Sequence, residues 1–201
     1  MFGMWSPPDD ASYSYLLGLY LGDGCVYMHP RAIGLRIVLD TAYPLIIAEA
    51  RAAIQIAAPD ARVSIGKIRN SAAVVVRCYW WGWLEAFPQH GPGRKHQRLI
   101  RLVDWQNDIV RDHPWYFLRG LLHSDGCRTV NRFETRLPSG RLARYAYPRW
   151  FFSNESADIR GLFTATCDLL GLRWTQSNRR NISIAHRHSV AILDERIGPK
   201  L

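Results

Sequence analysis

Twelve residues early in the chain, YLLGLYLGDGCV (Tyr15–Val26), recur as FLRGLLHSDGCR (Phe117–Arg128), with glycine, leucine, Asp-Gly and cysteine in register. The offset, 117 − 15 = 102, is about half of the 201 residues. A repeat at that spacing constrains the fold strongly, because whatever the first half builds the second must also be able to build. The stretches that follow correspond too: an extended run (LRIVLD, then RWFFSN), a helix-like run (PLIIAEARAAIQIA, then SADIRGLFTATCDLLG), two short strands and a final helix.

Each half therefore predicts the order α-β-β-α-β-β-α. Pro7, Pro8, Asp9, Asp10 and Ser12 mark a helix start, and the apolar run predicts a helix from about Tyr13 to Asp23, with Gly24 as a left-handed C-cap. Residues 25–40 read as a hairpin turning near His29, Pro30 and Arg31, with Leu35, Ile37 and Leu39 facing the helices and Arg36 and Val38 on the open face. A helix from about Tyr43 to Ala57, two strands around a turn at Asn70 and Ser71, and a short aromatic helix in WWGWLEAF complete residues 1–88. The Pro/Gly-rich, basic stretch PQHGPGRKHQRLIRL reads as a surface linker. With a short helix near Asp104–Arg111 it fills 89–113, and the second half spans 114–201.

The motif helices are apolar nearly all round, the sign of helices buried on every side. Their small residues recur at a spacing of four, Gly18 with Gly22 and Gly120 with Ser124, so each pair shares one helix face. Packing the two copies along those faces puts them at the centre of the molecule and brings Asp23 and Asp125 together at their C-terminal ends. Each acid then sits at the negative end of a helix dipole, beside a like charge. A divalent cation offsets both costs, and carboxylates with water and substrate phosphate are a usual ligand set for magnesium. Either Asp-Gly alone reads as a helix-end turn; recurrence in register argues against that.

At these residues the sequence resembles the LAGLIDADG homing endonucleases. LLGLYLGDG (Leu16–Gly24) and LRGLLHSDG (Leu118–Gly126) match the motif at the glycine, the next leucine, a small residue and the terminal Asp-Gly, and the resemblance covers the whole chain. It implies a single-chain α+β fold of two pseudo-symmetric halves, with a saddle-shaped antiparallel sheet over DNA. It also implies that Asp23 and Asp125, with Gly22 and Ser124 beside them, hold metal ions between the two scissile phosphates. The ion would be Mg²⁺ or Mn²⁺, with Ca²⁺ as a non-productive substitute. A basic or polar residue usually orders the attacking water. Lys67, Asp40 and Asn154 are the candidates, each equally readable as a solvated strand or turn residue. The family's penultimate acid is Leu21 in one copy and His123 in the other, so interactions at the helix ends must differ.

Composition agrees. There are 26 Lys+Arg against 17 Asp+Glu, a net charge of +9, and only Lys67, Lys95 and Lys200 are lysines. Arginine suits bidentate contact with phosphate and guanine edges, although a GC-rich coding bias would also favour it. Alternation places Arg36, Lys67, Arg69 and Arg77 in the first half, and Arg128, Arg132, Arg144, Arg149 and Arg179 in the second, on or beside the open face, each half covering one half-site. The four cysteines form no CxxC and read as small buried residues. No apolar run reaches the ~18 residues of a membrane span, and MFGMWSPPDD lacks the regions of a signal peptide. A cytoplasmic monomer acting on double-stranded DNA is expected, as a metal-dependent endonuclease. The alternatives are a non-cleaving DNA-binding transcriptional regulator on the same fold and an RNA-binding intron splicing partner.

Overall fold

A computed structural model describes residues 5–198 and 200; residues 1–4, which head the stretch read for a leader, and residues 199 and 201 lie outside the described residues. The elements run α1 (Asp10–Asp23), β1 (Gly24–His29), β2 (Ala32–Asp40), α2 (Pro44–Ala57), β3 (Val63–Lys67), β4 (Ala73–Tyr79) and α3 (Trp83–Ala86). A 3-10 turn (Lys95–Gln97) and α4 (Asp104–Asp112) lead into α5 (Pro114–Asp125), β5 (Gly126–Arg136), β6 (Leu142–Ser153), α6 (Ala157–Leu169), β7 (Thr175–Gln176), β8 (Asn181–Ile184) and α7 (Arg187–Arg196). Two antiparallel four-stranded sheets result, ordered β1-β2-β4-β3 and β5-β6-β8-β7. The same α-β-β-α-β-β-α order therefore occurs twice.

Asp9 starts α1 by accepting the Ser12 amide at 2.6 Å, the N-cap bond that satisfies an orphan donor of the first turn. Tyr13 through Leu21 are then buried without interruption, as expected of a helix enclosed on every side. Its main partner is α5. A Cβ added to Gly18 would lie 2.5 Å from the Phe117 carbonyl and 2.9 Å from the Gly120 Cα, and one on Gly120 would strike the Tyr15 carbonyl. Backbone thus meets backbone at the centre. Gly24 is not a left-handed cap: its φ of −84° is extended, because β1 starts there directly. A Cβ at Gly24 would fall 2.5 Å from the Tyr20 Cα, so tight passage over the last helical turn is what requires glycine.

The sheets lie against the helix layer with strict alternation. Ile33, Leu35, Ile37 and Leu39 of β2 face the helices, as do Val74, Val76 and Cys78 of β4, and Trp150 and Phe152 of β6. The second hairpin is the longer. β8 pairs with β6 only at residues 150–153, so the rest of β5 and β6, joined by Arg136↔Leu142, forms a two-stranded ribbon beyond the sheet. The linker runs over the surface, mostly exposed, and is anchored at two points: Gln89 and Ile100 are buried, and the Gln89 amide donates to the Arg101 carbonyl at 2.8 Å. Among the described residues no helix is long and apolar enough to cross a membrane.

The glycine contact yields a paired test. Gly18→Ala is expected to destabilise by about 1–3 kcal/mol or more, because the clash is with backbone, lowering Tm by roughly 2–12 °C at this chain length. Gly161→Ala in α6, where an added Cβ meets nothing within 4 Å, should stabilise by about 0.5–1 kcal/mol. Equal melting temperatures for the two variants would show that the α1–α5 face is not tightly packed.

Candidate metal centre and nucleic-acid face

Packing through Gly18 and Gly120 carries the ends of α1 and α5 to one place. A Cβ built on Gly22 would strike the Ser124 hydroxyl and lie 3.0 Å from Asp125 Oδ2, so the two helix ends that carry Asp23 and Asp125 meet side by side. Burial is the main force on Asp23 and pushes its carboxyl up to about 6; the charge of Asp125 adds to the shift, while Lys95 and Lys200 oppose it. Asp125 is raised by burial as well, against a hydrogen bond from Asn154 and the same two lysines.

Those lysines come from outside the motifs. Lys95, in the linker, donates its Nζ to the carbonyls of Tyr20, Leu21 and Gly22, the last two at 2.9 and 3.0 Å. Lys200, after α7, donates to the Ser124 carbonyl at 3.3 Å. Each ammonium thus caps the negative end of its own half's motif helix, where a cation is stabilised. Burial lowers Lys95 to about 8, with Asp125 and then Asp23 opposing, and lowers Lys200, with Asp23 and then Asp125 opposing.

The result is two clefts. One, of about 430 Å³, is lined by Asp125, Asn154, Lys95 and Arg98; the other, of about 450 Å³, by Asp23, Asp40, Lys200 and Ser124. Each combines an acid, the residue at the end of the same half's second strand, and the lysine of the opposite half. Asn154 donates its Nδ2 to Asp125 Oδ2 at 2.6 Å, whereas Asp40 accepts the Ala42 amide at 2.9 Å. His123 is buried; its Nδ1 lies 3.0 Å from the Tyr15 hydroxyl and 3.7 Å from Glu49, and burial holds it neutral, near 3. It joins the two motif helices and also lines the cleft of Asp23.

Could the residues hold a metal? Among the described residues no group of three His, Cys, Asp or Glu side chains is placed to bind one. Two desolvated carboxylates and the Gly22 and Ser124 carbonyls, already turned toward ammonium groups, form a partial set for a hard cation. It is completed only by water and substrate oxygens, the arrangement typical of magnesium.

The basic residues divide between the two sheet faces. Arg36 pairs with Arg77 in register on the open face, and Arg149 lies on the open face of the second sheet, its guanidinium over the Phe151 ring. Arg69 and Arg179 sit in the exposed β3–β4 and β7–β8 turns. Four residues depart from the expected face. Lys67 pairs with Val74 and shares its helix side, and it is not among the residues lining either cleft. Arg128 is on the Trp150 side and is held by Asp194 at 2.7 and 2.8 Å; Arg132 and Arg144 continue that side, with Arg144 paired to Glu134. Sequence reasoning missed Lys95 and Lys200, although a signal was present: they follow the motif acids by 95 − 23 = 72 and 200 − 125 = 75 residues.

No protein-family model matches the sequence, and no curated protein matches it. The structure does match others. I-DmoI in complex with DNA and Mn is similar over 96% of this chain and 99% of its own, with a TM-score of 0.60 and 15% identity. The LAGLIDADG meganuclease I-AabMI bound to uncleaved DNA matches over 92% of this chain and 82% of its own, with a TM-score of 0.56 and 10% identity. Full-length DUF199/WhiA from Thermatoga maritima matches over 94% of this chain but 55% of its own, with a TM-score of 0.56 and 15% identity. The fold is that of the LAGLIDADG homing endonucleases, in the single-chain form with two motifs.

A pH test follows from the raised carboxyl of Asp23. Its usual value is 3.8 and its folded value about 6, so the folded state binds the proton more tightly and stability falls as pH rises between those values. Asp23→Asn cannot ionise. In metal-free buffer at pH 7 it is expected to exceed the wild type by on the order of 1–3 kcal/mol and to lose that advantage by pH 4. Thermal melts across that range check both the sign and the window.

Proposed function

We propose that this chain is a metal-dependent endonuclease that binds one DNA duplex across both open sheet faces and hydrolyses a phosphodiester in each strand. The observation that carries the reading is the pair of clefts. Each offers a partly desolvated carboxylate, a strand-end polar group and a half-buried ammonium, at the ends of the two packed motif helices. Asp23 and Asp125 are the metal-holding groups, helped by the Gly22 and Ser124 carbonyls, with Mg²⁺ or Mn²⁺ as the ion. When bound, such an ion activates water and stabilises the leaving oxygen.

The protein's own groups do the rest. Asn154 fixes the rotamer of Asp125 through its 2.6 Å bond, and Asp40 lines the cleft of Asp23 from the corresponding strand end. Lys95 and Lys200 hold the helix-end carbonyls in the free protein and stand next to the path of a phosphate. From there an ammonium can contact a non-bridging oxygen or order the attacking water. Arg36, Arg77 and Arg149 are the arginines that the open face presents to a duplex; Arg69 and Arg179 extend it at the turns. A monomer suffices, because both clefts lie in one chain, and the cytoplasm is the expected compartment.

One observation favours a second reading, a DNA-binding regulator that does not cut. Two ammonium groups already face two carboxylates, so the centre is close to neutral without an ion. Incubation with a randomised duplex library in Mg²⁺ and in EDTA, followed by sequencing of new ends, separates the two: ends that appear only with Mg²⁺ support the nuclease, and enrichment of bound duplex without ends supports the regulator. Asp23→Asn and Asp125→Asn should each abolish cutting and keep binding. Lys95→Met should slow cutting by on the order of 10²–10³ with affinity little changed; full activity in that variant would remove Lys95 from the site.

A further inference from the structure

The two open faces carry different chemistry. On the first sheet Arg36 and Arg77 are cross-strand partners. The Tyr27 ring lies flat over Gly34, whose added Cβ would come 2.7 Å from the Tyr27 hydroxyl, and the Arg36 guanidinium stands 5.6 Å above that ring. The aromatic side chain here is a support that props an arginine away from the sheet. Among the described residues neither arginine is in an ion pair.

The ribbon of β5 and β6 presents something else. Phe133 and Tyr145 are cross-strand partners, and Tyr147 follows two residues on, so all three side chains stand on the open face. Their rings form a near-parallel slab, with centroids 5.3, 5.8 and 5.9 Å apart and interplanar angles of 28°, 29° and 8°. Phe133 and Tyr147 are 45% and 46% exposed. The arginines of the ribbon's strands are sorted to the other side: Arg128, Arg132, Arg136 and Arg144 take the parity of Trp150, and Arg149 alone takes that of the rings. Between Gly126 and Ser153 the chain holds six arginines against one glutamate, so the ribbon is drawn to a polyanion, while its open face sets the three rings among Thr129, Asn131 and Thr135 with Arg149 as its one strand arginine. The three centroids are nearly equidistant and the planes near parallel, so the rings tile side by side as one apolar patch and do not cover one another as a stack. The rings stand on a two-stranded ribbon, an element that the major groove of a duplex admits, and there thymine alone offers them an apolar methyl.

Resting on the duplex-binding reading, we infer that the target is asymmetric in composition, with a thymine-rich half-site under Phe133, Tyr145 and Tyr147 and guanine contacts under Arg36 and Arg77 in the other half. The test is selection of bound duplexes from a randomised library in EDTA, followed by replacement of thymine with deoxyuridine, which deletes only the methyl. Each replacement under the ribbon should weaken binding about fourfold, and replacements in the other half should leave affinity unchanged. Phe133→Ala should abolish the deoxyuridine effect at its position, whereas Arg36→Ala should relax a guanine preference by roughly 5- to 150-fold in the opposite half only, which fixes the orientation. Affinity indifferent to every deoxyuridine in a selected site overturns the inference and leaves duplex binding standing. Equal affinity for the single strand also overturns it, and selection of no duplex at all overturns both readings.

Discussion

Everything in this molecule depends on the backbone contact between α1 and α5. Glycine at 18 and 120 removes the only atoms that would keep the helices apart, since a Cβ at either position meets main chain rather than a movable side chain. Close approach has a chemical consequence at the far end of the same helices. It forces two aspartates into a partly desolvated space at two negative helix termini, a combination unfavourable by dipole, by desolvation and by mutual charge. The packing that stabilises the fold therefore creates an electrostatic debt at its centre, and Asp23 records it as a raised affinity for protons.

Lys95 and Lys200 are the structural answer to that debt in the free protein. Each reaches the helix end from the segment that follows its own half, and each lies in the cleft of the other half's acid. The arrangement couples the linker and the C-terminal segment to the same few ångströms of space. It also explains how PQHGPGRKHQRLIRL, a surface loop by composition and by exposure, is tied down at Lys95. Three carbonyl acceptors at the end of α1 hold the half-buried ammonium of Lys95, and the Gln89 side chain anchors the loop independently through Arg101 and Gln106.

The repeat made the architecture legible because a period of 102 residues leaves few ways to place the second half once the first is read. Alternation made the first sheet legible as well: LRIVLD contains its own parity in Leu35, Ile37 and Leu39, and these are buried. Lys67 shows the same rule misapplied, since Val63 and Ile65 set the helix side of β3 and Lys67 shares their parity. The ribbon was illegible for a different reason. CRTVNRF is solvated on both faces beyond the sheet, and in RWFFS three consecutive aromatics hide which parity packs. Only the burial of Trp150 and Phe152 decides it, and that choice turns Arg128, Arg132 and Arg144 to the helix side. The lysines escaped because no hydrophobic pattern marks them, only their similar distance from the motif acids.

The halves share a plan but not a balance. Asp40 brings a second carboxylate to the cleft of Asp23, while Asn154 supplies a neutral donor to Asp125 and Arg98 adds positive charge nearby. One cleft is thus acid-rich and the other cation-rich around the same pseudo-symmetric framework, as one sheet presents propped arginines and the other a slab of rings. Fusing two copies into one chain is what permits this. In a symmetric dimer any change made at Asn154 would appear in both clefts at once, whereas here each half can be tuned to its own strand and its own half-site. The glycine contact is the part that cannot diverge, because both halves must present a bare backbone for either cleft to exist.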